Sequence, residues 1–197
     1  MKIDSNLLLT WGAVAKKYKK NEVIFHEEEE ALFFYQILLG KVKMVNINDD
    51  GKEFIQGIFN DDNSFGEPPL FINKKYPCSA IAQKDSVIIK ISKDSIYKLF
   101  REYPDLQWQF IQILSERIYN KAITARELIH NKPENKILAF LKNYKQKAGL
   151  TNEDWLVPHT RQEVANLLGL RVETVIRALK KMEVKGQVKI INHKLYF

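Results

Sequence analysis

A chain of 197 residues is long enough for one large domain or for two small ones. Apolar residues make up 45% of it and aromatic residues 11%, which excludes an intrinsically disordered protein. The formal net charge is +7, and no apolar run approaches the roughly 20 residues that a membrane-spanning helix requires. Cys78 is the only cysteine, which excludes a disulfide framework and an iron–sulfur cluster held by four cysteines of one chain.

The first apolar run, residues 7–15, ends in small residues and has the outline of a secretory signal. A signal peptide carries its positive charge before the apolar run. Here Asp4 offsets Lys2, and a cluster of lysines follows the run instead. We therefore predict that this run is the first helix of a cytoplasmic protein.

From residue 22 to residue 91, short runs rich in β-branched and aromatic residues alternate with turn signals. The segment Asp49-Asp50-Gly51-Lys52 is typical of a hairpin turn. Several short strands at this spacing indicate a small barrel, a roll or a jelly roll. The predicted strands are residues 23–25, 32–38, 41–47, 53–59, 79–82 and 87–91.

Two helices are predicted after the strands. Ser92 is a candidate N-cap for a helix over residues 92–103, which Pro104 ends. The next helix is predicted from Asp105 to about residue 130, with an apolar stripe that includes Phe110. The stripe could belong to an ordinary core helix, but beside a small β domain we expect it to pack on a second copy of the chain.

The last third of the chain begins at an expected hinge, residues 131–133, and continues with a helix over residues 134–148 that Gly149 ends. Residues 160–182 then have the pattern of a helix-turn-helix. Thr160 and Glu163 form the S/T-x-x-E capping box, and Gly169 suits the left-handed conformation after a helix end. A strand over residues 155–157 and a two-stranded wing, residues 187–191 and 194–197, complete a predicted winged helix.

The second helix of this pair begins at about Val172 and directs a polar face outward. This face carries Glu173, Thr174, Arg177 and Lys180, whose side chains can read base edges and hold phosphates in a major groove. An ordinary helical hairpin with a polar outer face is the alternative. The combination of capping box, turn glycine and small Ala165 at the helix crossing favours DNA binding.

The charge distribution supports a polyanionic partner. Residues 131–197 carry 13 Lys and Arg against 6 Asp and Glu, whereas residues 1–130 carry 18 of each kind. All of the excess positive charge therefore lies with the helix pair. A localised basic domain is expected for a protein that neutralises phosphates, although a solvated basic surface is the alternative.

An eight-strand-like β domain, a long helix and a winged helix, in this order, resemble the Crp/Fnr family of bacterial transcription regulators. The resemblance is strongest in T-R-Q-E-V-A-N-L-L-G-L-R-V-E-T-V-I-R-A-L-K, and F-G-E-P-P-L-F looks like the ligand cassette of the family. It implies an α+β protein: a jelly-roll sensor domain of the double-stranded β-helix type (1–103), a dimerisation helix and hinge (104–131) and a winged helix-turn-helix (132–197). The implied partners are double-stranded DNA, a second copy of the chain and RNA polymerase.

In that family the Glu and Arg of the E-T-x-x-R segment contact bases, which implies this role for Glu173 and Arg177. Arg favours guanine and Glu can accept from cytosine, so both can read one G·C pair. Ile176 lies where the Fnr branch of the family has Ser. The other implied DNA contacts are Arg161, Gln162, Arg171, Val172, Thr174 and Lys180.

The effector residues implied by the resemblance are Gly66, Glu67, Cys78 and Ser79. The cyclic-nucleotide branch holds the cyclic phosphate with an Arg-Ser pair, and here Cys78 replaces the Arg. A neutral thiol cannot make the bidentate pair that a phosphate favours, so a cyclic nucleotide is disfavoured. The alternatives are another small ligand, no ligand, or Glu67 and Ser79 merely satisfying a buried turn.

Haem and catalysis are also disfavoured. The available axial haem ligands form no characteristic pair or motif; they are His26, His130, His159, His193 and Cys78. No Ser/His/Asp, Cys/His or metal-ligand spacing points to an enzyme. The remaining rival is a ligand-binding or scaffold module whose winged helix contacts protein instead of DNA.

Overall fold

The computed structural model describes residues 3–128, 132–150 and 154–197. The chain forms two compact units, Met1–Arg117 and Ile118–Phe197. His130 and the predicted hinge residue Asn131 lie outside the described residues.

The first unit contains two four-stranded antiparallel sheets, which confirms the predicted β-rich domain. One sheet has the order β1-β8-β3-β6 and the other the order β2-β7-β4-β5. The strands are β1 (Val14–Tyr18), β2 (Val23–Phe25), β3 (Phe33–Leu39), β4 (Lys41–Ile47), β5 (Glu53–Asn60), β6 (Ser64–Phe65), β7 (Ser79–Ala82) and β8 (Ser86–Ser92). The hairpin predicted at residues 49–52 joins β4 to β5, with Gly51 at a φ of 73°.

Four helices accompany the sheets: α1 (Ser5–Thr10), α2 (Glu67–Ile72), α3 (Lys93–Glu102) and α4 (Pro104–Leu128). The Ser92 side chain caps α3 as predicted, by accepting a hydrogen bond from the Ser95 N–H at 3.2 Å. Pro104 begins α4 as well as ending α3, because the first position of a helix needs no N–H donor.

Three local predictions were wrong. The helix predicted over residues 7–15 is confined to α1, because the chain turns at Gly12 (φ 85°) and Val14 onward pairs with β8. The buried turn considered as an alternative role for Glu67 is the start of the helix α2, since Pro68 and Pro69 occupy positions that open a helix. The strand predicted over residues 155–157 is a single bridge between Leu156 and Tyr196.

Helix α4 has two different apolar faces. Leu106, Phe110 and Leu114, spaced by four residues, pack against the core of the first unit. Phe110 is 4% exposed, so it does not belong to a dimer stripe as the sequence suggested. The exposed apolar side chains follow a different register, which includes Trp108, Ile111 and Ile118.

The second unit is a winged helix with its own hydrophobic core. Its elements are α5 (Pro133–Lys147), α6 (Arg161–Leu168), α7 (Val172–Val184), β9 (Lys189–Ile191) and β10 (Lys194–Tyr196). The turn between β9 and β10 places Asn192 and His193 at φ values of 49° and 61°, which is the geometry of a type I′ hairpin turn. The predicted α+β architecture is therefore confirmed in both units.

Candidate nucleic-acid interface and sensor site

The predicted capping box fixes the start of α6. The Thr160 hydroxyl accepts from the Glu163 N–H at 3.1 Å, and the Glu163 carboxylate accepts from the Thr160 N–H at 2.8 Å. Gly169 ends the helix at a φ of 64°, in the left-handed region that glycine tolerates without steric cost. Local sequence alone therefore sets both ends of the first helix of the pair.

The inner faces of α6 and α7 hold the second helix in place. Ala165 and Val175 are fully buried, and Leu179 and Met182 continue the buried stripe of α7. Lys181 at the far end of α7 forms an ion pair with Glu134 of α5, with 3.3 Å between Nζ and Oε1. The inner face of α7 is therefore part of the core of the second unit.

The opposite face of α7 is open to solvent. Glu173, Arg177 and Lys180 are exposed, and Ile176 among them is 42% exposed. Arg177 Nε donates to the Glu173 carbonyl oxygen at 3.4 Å, a long contact that a base edge could replace. The structure thus brings the residues predicted to read bases onto one accessible face.

The other predicted DNA contacts have different surroundings. Arg161 Nη1 donates to the His193 carbonyl oxygen at 2.7 Å and so joins the start of α6 to the wing. Gln162 Nε2 donates to Asn166 Oδ1 at 2.8 Å. Arg171 is exposed at the N-cap of α7, Thr174 is half-buried, and Val172 packs in part against the core.

The candidate effector residues of the first unit are paired with other parts of the chain. Glu67 is buried, and its carboxylate accepts from Arg117 Nη1 of α4 at 2.8 Å. Arg117 Nη2 donates to the Ser64 carbonyl oxygen at 2.9 Å, and its guanidinium lies 5.4 Å from the centre of the Phe59 ring. Sequence reasoning missed Arg117, because nothing in the local pattern of α4 distinguishes it from a solvated arginine.

Aromatic side chains fill the space beside Glu67. The Phe25 and Tyr76 rings stack at 3.7 Å, and a Cβ on Gly66 would lie 3.1 Å from the Phe25 ring. Burial raises the pKa of Tyr35 to about 12 and also raises the pKa of Tyr76, so both hydroxyls are protonated and neutral at physiological pH.

The two remaining effector candidates belong to the turn into β7. Cys78 is 2% exposed, and the Ser79 hydroxyl accepts from the Glu27 N–H at 2.9 Å. These contacts match the alternative in which Ser79 satisfies a turn. A separate cavity of about 340 Å³ lies between α2, α3 and α4, with Phe71, Tyr97 and Phe110 in its walls and Arg101 among its polar groups.

The described histidines are divided between the two units. His26 is exposed in the first unit, whereas His193 and the buried His159 belong to the second. Within the described residues, no group of three His, Cys, Asp or Glu side chains is placed to hold a metal ion. Nor does any described helix have the length and apolarity to cross a membrane.

A β-rich domain followed by a winged helix with an exposed polar face on its second helix is the architecture of a class of DNA-binding transcription regulators. Two family models match the chain: the cyclic nucleotide-binding domain over residues 15–103 and the Crp-like helix-turn-helix domain over residues 135–196. The chain belongs to the Crp/Fnr family of bacterial transcription regulators.

Known bacterial regulators are similar to the chain along most of its length. The chain is 26% identical to the regulatory protein HlyX of Actinobacillus pleuropneumoniae, over 89% of this chain and 74% of HlyX. It is 28% identical to the cAMP-activated global transcriptional regulator CRP of Pasteurella multocida, over 85% of this chain and 81% of CRP. The relatives are transcription regulators, and no catalytic family is indicated.

Solved structures share the fold. The c-di-GMP-responsive regulator CLP of Xanthomonas campestris superposes with a TM-score of 0.81 at 20% identity, over 98% of this chain and 97% of CLP. FixK2 of Bradyrhizobium japonicum gives a TM-score of 0.76 at 20% identity, over 94% of this chain and 92% of FixK2. At this level of identity the likeness shows the architecture alone.

Proposed function

We propose that the protein is a homodimeric, sequence-specific transcription regulator that reads a palindromic operator with α7. The observation that carries this proposal is the exposed face of α7, where Glu173 and Arg177 lie one helical turn apart. Arg can bind guanine O6 and N7, and Glu can accept from cytosine N4. The proposed DNA contacts are Arg161, Gln162, Arg171, Val172, Glu173, Thr174, Arg177 and Lys180.

The dimer contact is assigned to the solvent-exposed register of α4. Trp108, Ile111 and Ile118 are 61%, 45% and 69% exposed. With Ser115 and Ala122 they alternate in steps of three and four residues, which is the spacing of a coiled-coil seam. Large apolar side chains in this pattern favour association with the same helix of a second copy.

The domain limits follow from this assignment. Residues 1–103 form the sensor domain, residues 104–131 the dimerisation helix and hinge, and residues 132–197 the DNA-binding domain. A small effector of the sensor domain controls DNA binding, and RNA polymerase is the partner in transcription. The Glu67 carboxylate is already paired with Arg117, and aromatic rings are packed beside it. Both observations argue against a cyclic nucleotide as that effector.

Selection of bound duplexes from a random DNA pool tests the proposal. The wild type should enrich an inverted repeat, and Arg177→Ala should lose about 1–3 kcal/mol at that site and relax the preference at one guanine. Arg101→Ala, which removes an exposed arginine of the first unit, is the matched control and should behave as the wild type. Unchanged affinity and preference in Arg177→Ala would contradict the role of α7.

A scaffold whose winged helix contacts protein is the second candidate. The excess of basic residues in residues 131–197 favours DNA instead, since phosphate contacts release counterions. A steep decrease of affinity with salt concentration supports DNA binding, and a flat dependence supports the scaffold.

A further inference from the structure

The outward face of α7 includes one large apolar side chain. Ile176 is the fifth residue of the helix and is 42% exposed, whereas its neighbour Val175 is fully buried. At 3.6 residues per turn, the four residues 173, 176, 177 and 180 occupy an arc of about 100°. Ile176 therefore shares its face with Glu173, Arg177 and Lys180 and points away from the core of the unit.

Exposure by itself assigns no role to Ile176, because single apolar side chains are common on protein surfaces. Its position is more informative. The N-terminal residues of a recognition helix approach base edges, so a side chain in the second turn of α7 faces the floor of the groove. Isoleucine offers neither a donor nor an acceptor to a base, and against a polar edge it would displace water without replacing its hydrogen bonds.

The major groove presents one apolar group, the C5-methyl of thymine. We propose that Ile176 is a specificity-determining residue that contacts a thymine methyl group in each half-site; this assignment rests on the proposed function. Ile176 and Arg177 lie at opposite edges of the polar arc, so they contact different base pairs. The thymine therefore neighbours the G·C pair read by Glu173 and Arg177.

Replacement of thymine by uracil tests this contact, because it removes the methyl group and leaves every hydrogen-bonding atom in place. Each thymine of the selected operator is replaced singly by deoxyuridine, and binding to the full chain is measured by fluorescence anisotropy. For the wild type, one position per half-site should lose about fourfold in affinity, the factor that corresponds to burial of one methyl group. Ile176→Ala should abolish this loss, and Ile176→Val should retain it.

Ile47→Ala is the matched control, since Ile47 is also an exposed isoleucine, 51% exposed in β4 of the first unit. It should show the same uracil penalty as the wild type. A penalty that persists in Ile176→Ala would overturn the assignment, because another side chain would then read the methyl group.

An operator with no uracil-sensitive position would also overturn the assignment, while an Arg177-dependent guanine preference would leave the proposed function intact. If neither the wild type nor any variant showed a sequence preference, both the Ile176 assignment and the proposed function would be overturned.

Discussion

The two units of the chain treat their charged residues in opposite ways. In the first unit the conspicuous carboxylate, Glu67, is buried and paired with Arg117. In the second unit Glu173, Arg177 and Lys180 remain exposed on one face of a helix. The charges of a buried ion pair are satisfied within the chain, and removing one partner is costly, whereas an open charged face contributes little to stability and is available for a partner. The exposed residues of the second unit therefore indicate its function more clearly than the buried ion pair indicates that of the first.

The largest effect should come from Phe110→Asp. Phe110 is 4% exposed, and the rings of Phe71 and Phe100 lie 5.2 and 5.3 Å from its ring. Loss of this ring and burial of a charge should cost at least about 4 kcal/mol and unfold the first unit. Circular dichroism and urea titration would measure this.

Trp108→Asp, two residues earlier on α4, is the control that separates folding from association. Trp108 is 61% exposed, so the variant should fold normally and instead produce monomers by light scattering. If Trp108→Asp remained a dimer, the exposed register of α4 would not be the contact between copies.

Arg117→Met should destabilise the first unit by about 3 kcal/mol, because it leaves the Glu67 carboxylate buried without its cation. The additional change Glu67→Gln should restore much of that loss in urea unfolding. In the second unit, Lys189→Met breaks an exposed pair with Asp154, whose side chains are 63% and 59% exposed, and should cost below about 1 kcal/mol. Equal losses of stability for Arg117→Met and Lys189→Met would contradict the contrast between the units.

Lys180→Ala should weaken DNA binding to all sequences by a similar, small factor and lower the slope of log affinity against log salt by about 1. The exposed Lys17 of β1 carries the same charge in the first unit, so Lys17→Ala should leave the slope unchanged. A lower slope for Lys17→Ala, but not for Lys180→Ala, would place the phosphate contacts on the first unit instead of the second.

The smallest effect is expected for cyclic AMP, which should leave the stability of the protein unchanged. The rings of Phe25 and Tyr76 stack on each other and the Glu67 carboxylate is bound by Arg117, so these groups are already engaged within the chain. At 1 mM, a ligand with a Kd of 10 μM would add about 2.7 kcal/mol to stability. A gain in stability of this size, measured by thermal unfolding, would contradict the prediction and show that the rings move aside for a nucleotide.

Prediction from sequence succeeded where the determining contacts are local. The capping box of Thr160 and Glu163, the left-handed Gly169 and the buried stripe of α7 all depend on residues within a few positions of one another. Strands β4 and β7 begin and end where the pattern placed them. The strand β1 was missed because its solvent-exposed residues alternate weakly and its pairing with β8 spans most of the unit.

Sequence by itself determined the order of the elements, the basic character of the second unit and the face of α7 that is open to solvent, because spacing along a helix fixes which side chains share a face. Only the tertiary structure decided which face of α4 packs on the roll, since both registers of that helix are apolar. It also decided that Arg117, 50 residues away, pairs with Glu67. Long-range pairing of this kind depends on the folding of the sheets and leaves no trace in local spacing.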